Sequence, residues 1–270
     1  MSSLTRYFGM CFGVLWGGFA CVSVYRLSGG DRLRATDALL LFPVGVLGVG
    51  AAGVLSSARS EGRGGLQQLK AGLLRWRVDW RWYALVLALP PLSVLAVLAT
   101  LQALVSARFA PNRFFLGILF GLLPGFAEEV GWTGFATRRM LERESPVTTG
   151  LQLGFIWAIW HMPVSDFLSA ASPHGRSWLA FFIAFTVALV ALRVLMVWLY
   201  SRTASVLLAQ LLHASSTASL VVLGPPRVSG WGEAAWYALY GGVLWVVVLA
   251  IVLVERKGRS SDLAEYEPPR

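Results

Sequence analysis

Long apolar runs separated by short polar segments make up most of this chain. A helix that crosses a bilayer needs about 20 mostly apolar residues. Eight runs approach that length, near residues 7–25, 38–58, 82–107, 114–137, 146–165, 177–200, 203–223 and 234–254. Six of the eight contain no Asp, Glu, Lys or Arg. The pattern therefore predicts an all-α, polytopic membrane protein with about eight transmembrane helices.

Composition supports this prediction and bounds the number of domains. Of the 270 residues, 56% are hydrophobic and only 14% are charged, whereas soluble domains contain about 25% charged residues. A soluble globular domain is therefore excluded. No long polar insert interrupts the runs, which predicts a single transmembrane domain over residues 1–254 with a motif-bearing core at 114–220. The polar residues 255–270 predict a short, disordered cytoplasmic tail.

The segment 57–81 is the exception to the pattern of short loops. Its apolar residues recur at steps of three and four, as on one face of a helix: Leu66, Leu69, Leu73, Trp76 and Trp80. Basic residues stand between them. This pattern is typical of an amphipathic helix lying in the cytoplasmic interface. Such a helix can be a basic anchor that fixes topology or a gate for substrate entry.

The basic residues also predict the orientation of the chain. Fifteen of the Arg and Lys residues fall on the side of the predicted spans that holds both termini, and seven fall on the other side. By the positive-inside rule, both termini lie in the cytoplasm of a multi-pass cell-membrane protein. The net charge of +9 resides in these short loops, so we expect the lipid bilayer, and no nucleic acid, as its partner.

Two adjacent carboxylates, Glu128 and Glu129, interrupt the fourth predicted span. A charged residue in mid-bilayer costs at least about 2.5–3.5 kcal/mol on insertion scales, so each is a candidate functional residue. Pro124 removes one helical hydrogen bond next to Glu128. Glu128 shares a helix face with three glycines that allow close approach of a neighbouring helix: Gly117, Gly121 and Gly125. Glu129 is turned by about 100° from Glu128 and faces other neighbours.

Two histidines lie at a similar depth in other predicted spans. His161 falls about 18 Å into the fifth span and His213 about 15 Å into the seventh. Thr217 stands one turn after His213 on the same face. We therefore predict that Glu128, His161 and His213 converge on one water-accessible cavity. Arg193, in the sixth span, can either snorkel to the interface or pair with a buried carboxylate.

Together these motifs resemble the CPBP (CAAX protease and bacteriocin-processing) or Abi family of intramembrane proteases. The resemblance rests on the pair Glu128–Glu129, on Trp157 four residues before His161, and on His213 four residues before Thr217. It extends over about residues 65–220. The chain departs from the family pattern twice, since Thr133 stands where an Arg is often found and Thr217 where the last motif usually has Asn.

The resemblance implies an endopeptidase that cleaves a peptide or membrane-protein substrate with a glutamate-activated water. Glu128 is then the general base and Glu129 a supporting residue, while His161, His213 and Thr217 hold the water and stabilise the oxyanion. A carboxylate in an apolar site is well suited to accept a proton from water. We expect no metal cofactor. The alternative is zinc held by Glu128, His161 and His213, because His₂Glu is a known catalytic zinc set.

Two other functions fit the same residues. A non-catalytic relative, acting as an immunity or scaffold protein, would account for Thr217 in place of Asn. A proton-coupled transporter would also need buried Glu and His on kinked helices, although matching broken helices in two halves of the chain are not visible. The excess of Arg over Lys (21 against 2) is typical of a high-GC bacterial genome, where prenylated CAAX proteins are not expected as substrates.

Overall fold

The computed structural model describes residues 2–168 and 175–264, and every regular element in them is helical. The helices are α1 (Ser3–Ser28), α2 (Ala35–Leu73), α3 (Trp80–Leu104), α4 (Gly117–Gly131), α5 (Arg138–Met140), α6 (Pro146–Leu168), α7 (Trp178–Thr203), α8 (Val206–Leu223) and α9 (Trp231–Ala264). A π-helical turn, Trp132–Thr137, joins α4 to α5. The prediction of an all-α protein is confirmed.

Six of the helices in the described ranges are long and apolar enough to cross a membrane by length and composition. They are α1, α2 from Leu40 onward, α3, α7, α8 and α9. These helices support a multi-pass membrane protein. The helices α4 and α6 fall outside this set, and α4 has only 15 residues before the π-helical turn. These two helices carry the candidate Glu and His161, and their crossing of the bilayer stays a prediction.

The predicted interfacial helix over 57–81 is wrong in its bounds. The chain stays helical through this region, but Gly62 has a φ of +60° and breaks α2 into two parts. The second part ends at Leu73, so Trp76 and Trp80 do not continue its apolar face. Trp80 instead opens α3, where the Asp79 carboxylate accepts a hydrogen bond from the Arg81 N–H. The regular spacing of apolar residues does not reveal these interruptions. Gly62 breaks the helix before Leu66, and Asp79 caps a new helix that begins at Trp80.

The C-terminal segment also differs from its prediction. Helix α9 continues to Ala264, so the first ten residues of the predicted disordered tail are helical. Residues 265–270 lie outside the described part of the chain.

Helix α4 is held between α2 and α8 by close backbone contacts at glycines. A Cβ atom added at Gly125 would lie 2.6 Å from the backbone nitrogen of Ala214 in α8. On the other side, a Cβ at Gly53 of α2 would lie 2.6 Å from the Cα of Gly131. The helices can approach this closely only because these residues have no side chain. The packing directs the residues that follow Gly125 into the helix bundle.

We predict that Gly125→Ala destabilises the protein by about 1–3 kcal/mol, the usual cost of overpacking. The added methyl group meets the backbone of α8, which cannot move aside as a flexible side chain would. Gly13→Ala is the matched control, because nothing lies within 4 Å of a Cβ at that position of α1. Chemical or thermal unfolding in detergent measures both variants. Equal stability of the two would contradict the proposed packing.

Candidate active site

Glu128 lies on the last two turns of α4 with its carboxylate almost completely enclosed. Only 1% of the residue is exposed. Its Oε2 accepts hydrogen bonds from the indole Nε1 atoms of Trp132, at 3.2 Å, and Trp157, at 3.1 Å. Its Oε1 is buried and has no hydrogen-bond partner in the described part of the chain. One oxygen of this carboxylate is therefore fixed by two donors, and the other is available to a further group.

Glu129 has both carboxylate oxygens occupied. Arg193 of α7 binds it with two parallel hydrogen bonds, Nη1 to Oε2 at 2.8 Å and Nη2 to Oε1 at 3.0 Å. The His213 Nδ1 lies 2.9 Å from Oε1, and the Thr133 hydroxyl donates to Oε2. Neither Glu129 nor Arg193 has any exposed surface. The two adjacent glutamates thus face different neighbours, as the helical geometry requires.

The indole of Trp157, on α6, is the common neighbour of the polar groups. Its ring centroid lies 5.1 Å from that of His161 and 5.0 Å from that of His213, both edge-to-face. The Arg193 guanidinium carbon stands 4.2 Å above the same ring, within cation–π distance. The Trp157 N–H also donates to Glu128. One side chain therefore contacts a carboxylate, two imidazoles and a guanidinium.

The hydrogen bonds of the two histidines define which ring nitrogen remains available. The His161 Nδ1 lies 2.8 Å from the backbone carbonyl of Trp157, and the His213 Nδ1 contacts the Glu129 carboxylate. A carbonyl and a carboxylate only accept hydrogen bonds, so Nδ1 carries the proton in both rings. In each neutral ring Nε2 is therefore an acceptor. Either ring can donate from Nε2 only when it is protonated.

The predicted site residues are brought together in part. The side chains of Glu128, His161 and His213 all contact the Trp157 indole. His161 is half-buried, whereas His213 is 2% exposed and Glu128 nearly enclosed, so the predicted water access is visible only at His161. Thr217 follows His213 by one turn of α8 and is half-buried, and its hydroxyl makes no hydrogen bond to any described residue.

The sequence does not assign a role to two residues of the cluster. For Arg193 it allows snorkelling or pairing, and the structure shows that this residue pairs with Glu129. For Trp157 it shows only an aromatic residue four positions before His161. A signal for the ion pair is nevertheless present, because Arg193 is a lone basic residue in an apolar run and Thr133 leaves Glu129 without a cation nearby in sequence.

The alternative hypothesis of a catalytic zinc ion requires three ligand atoms that are directed at one position. In residues 2–168 and 175–264, no group of three His, Cys, Asp or Glu is arranged to hold a metal ion. The zinc set of Glu128, His161 and His213 therefore has no support from the positions of its donors. The acceptor nitrogens of the two histidines remain available to a water molecule or to a substrate N–H.

A comparison with family models relates this geometry to known proteins. Residues 110–219 match the model described as Rce1-like, type II CAAX prenyl endopeptidase. The resemblance to the CPBP/Abi family is confirmed. The match runs from the loop before α4 to Ser219, near the end of α8, and thus includes the two candidate glutamates, the two candidate histidines and Arg193. No curated protein matches the chain.

Compared with the CPBP pattern, this chain carries its guanidinium on a different helix. The family often has an Arg at the position of Thr133, one turn after Glu129. The Thr133 hydroxyl contacts Glu129 here, which shows that a side chain at this position points at the carboxylate. Arg193 reaches the same carboxylate from α7. The departure at Thr133 is therefore compensated by a residue 60 positions later in the chain.

We predict that Arg193→Met destabilises the folded protein by about 3–5 kcal/mol, because it leaves the buried Glu129 carboxylate without its cation. Replacing both partners, as Glu129→Met with Arg193→Met, should recover most of this loss, since no unpaired charge then remains. Unfolding in detergent measures each variant. An additive effect of the two substitutions would contradict a direct ion pair.

A relocated arginine provides a sharper control. Arg193→Ala alone should be as unstable as Arg193→Met. Adding Thr133→Arg returns a guanidinium to Glu129 from the π-helical turn that follows α4, into the space vacated by Arg193. We expect this double variant to recover part of the lost stability. The control combines Arg193→Ala with Thr137→Arg and should recover none, because the Thr137 side chain is equally buried but is hydrogen-bonded to the Trp132 carbonyl and not to Glu129.

Proposed function

We propose that this chain is an intramembrane endopeptidase in which Glu128 activates the attacking water. The observation that carries the proposal is the contrast between the two carboxylates. Among the described residues, the buried Oε1 of Glu128 has no partner, while Glu129 has both oxygens engaged by Arg193, His213 and Thr133. Only Glu128 is free to accept a proton. The family match supports protease chemistry at this site.

The reaction begins when the free oxygen of Glu128 takes a proton from a water molecule. The water oxygen forms a bond to the carbonyl carbon of the substrate peptide, and the carbonyl oxygen becomes an oxyanion. The protonated Glu128 then delivers its proton to the leaving nitrogen as the carbon–nitrogen bond breaks. The buried site aids the first of these proton transfers, because a carboxylate away from water accepts a proton readily.

The histidines and Thr217 have distinct parts in this scheme. The Nε2 of neutral His161, on the half-exposed side of the cluster, accepts a hydrogen bond from the water and orients it. His213 is held by Glu129, which is itself fixed by Arg193, so Glu129 and Arg193 are positioning residues. The Thr217 hydroxyl, which has no hydrogen-bond partner among the described residues, donates to the oxyanion.

The proposed mechanism needs no metal, and the substrate is a peptide or a segment of a membrane protein. A general base, an oriented water and oxyanion donors are the elements that peptide hydrolysis requires. The buried position of Glu128 suits a substrate that reaches the site from within the bilayer. The proposal does not include the prenylated CAAX substrate that the family description names.

We predict that Glu128→Gln lowers the rate of cleavage by about 10²–10⁴, the usual contribution of a general base. The amide keeps the hydrogen bonds to the two tryptophans through its oxygen but cannot accept the proton. New peptide termini in membranes that contain the wild type or the variant can be compared by mass spectrometry. Glu142→Gln is the matched control, since this exposed carboxylate contacts only arginines at the helix end. Termini that persist in the Glu128→Gln membranes would contradict the mechanism.

We also predict that Thr217→Val lowers the rate by about 10²-fold, near the lower end for one oxyanion donor, because it removes only the hydroxyl. Thr217→Asn should maintain or raise activity. Ser215→Ala, on the same helix but bonded to the Leu87 carbonyl, serves as the control. If only Thr217→Asn cleaves while the wild type is as inert as Glu128→Gln, the chain is a non-catalytic relative.

A further inference from the structure

A polar cavity lies between the start of α1 and the part of α2 that immediately precedes Gly62, and it shares no residue with the candidate active site. Its volume is about 360 Å³. Three serines and two arginines line it together with one flexible apolar side chain: Ser3, Arg6, Met10, Ser56, Arg59 and Ser60. No acidic residue contributes to its described lining.

The two arginines of this cavity carry uncompensated charge. Arg6 and Arg59 are exposed, and neither side chain makes an ion pair or a hydrogen bond within the described residues. The nearest acidic residue along α2, Glu61, is already engaged by Arg138 at 2.6 Å and by Arg139 at 3.3 Å. Two guanidinium groups therefore face the same space without an anion supplied by the protein.

A buried hydroxyl provides an independent observation. Ser56 is 6% exposed, lines the cavity, and its Oγ has no hydrogen-bond partner in the part of the chain described. A buried polar group without a partner is costly and needs an explanation. Next to it, the Ser60 hydroxyl donates to the Ser56 carbonyl at 2.6 Å and can still accept. The cavity thus combines a buried hydroxyl with two guanidinium groups, and none of the three has a hydrogen-bond partner among the described residues.

We propose that this cavity binds the phosphate of an anionic phospholipid headgroup. Guanidinium groups and hydroxyls are the donors that phosphate oxygens prefer. Arg6 immediately precedes the first apolar run, and Arg59 immediately follows the second, which places both at headgroup depth. Met10, one turn deeper on α1 than Arg6, supplies an apolar wall for the start of an acyl chain. This combination fits a lipid better than free phosphate.

The test uses the full chain in detergent, with binding of phosphatidylglycerol followed by native mass spectrometry. Phosphatidylcholine and inorganic phosphate are the comparison ligands. The variant Arg6→Gln with Arg59→Gln is compared with Arg81→Gln plus Arg143→Gln, which removes the same charge at exposed positions outside the cavity. Losing one charge-assisted hydrogen bond to the phosphate weakens binding about tenfold, so we expect about 100-fold weaker binding in the cavity variant and little change in the control.

Ser56→Ala distinguishes a specific phosphate-binding site from general electrostatic attraction of the lipid to a basic surface. The substitution removes a hydroxyl without a protein partner, so stability should not fall, while phosphatidylglycerol binding should weaken about tenfold. Equal losses in the two arginine variants, with no effect of Ser56→Ala, would overturn the proposal in favour of a diffuse basic surface. Inorganic phosphate that binds as tightly as phosphatidylglycerol would overturn the lipid as occupant. Unchanged binding in every variant would exclude the site.

Discussion

The ion pair between Glu129 and Arg193 is the constraint on which the rest of the site depends. Either charge alone in an apolar bundle would cost several kcal/mol, and both are completely buried. The pair forms only when the Arg193 side chain reaches from α7 to the Glu129 carboxylate near the end of α4, where α8 adds His213 to the same carboxylate. Because the Arg193 guanidinium also covers the Trp157 ring of α6, assembling this one pair brings four helices into register. The close glycine contacts between α4 and α8 are what allow the approach.

Two neighbouring carboxylates can have different roles because a helix turns them toward different helices. Glu129 points to a cation and is held as a charged structural element, which orients His213. Glu128 points to two indole N–H groups, which engage one oxygen and leave the other without a partner among the described residues. The protein thus places an ion-paired carboxylate and a carboxylate with an unengaged oxygen on successive residues. The position of the ion-paired Glu129 defines the surroundings of Glu128.

The sequence predicted the helical class, the polar positions and the residues of the motifs, since these follow from composition and spacing along single helices. It could not predict which buried cation pairs with Glu129, because the register between α4 and α7 depends on packing that no spacing within one helix encodes. It also extended the amphipathic segment too far, because Trp76 and Trp80 continue the apolar spacing of Leu66, Leu69 and Leu73. The positive φ at Gly62 and the capping carboxylate of Asp79 override that spacing.

The two departures from the CPBP motif have different physical consequences. An arginine at position 133 would pair with the Glu129 carboxylate. A side chain from any helix that reaches this carboxylate can supply the same guanidinium. Arg193 does so, and a fixed charge tolerates such relocation because the ion pair requires only proximity and burial. An oxyanion donor must instead meet a reacting atom in one geometry. In the proposed reaction the Thr217 hydroxyl is such a donor, and its side chain has less reach toward the substrate than the amide of Asn. We therefore expect the proposed cleavage to be more sensitive to the residue at position 217 than to the residue at position 133.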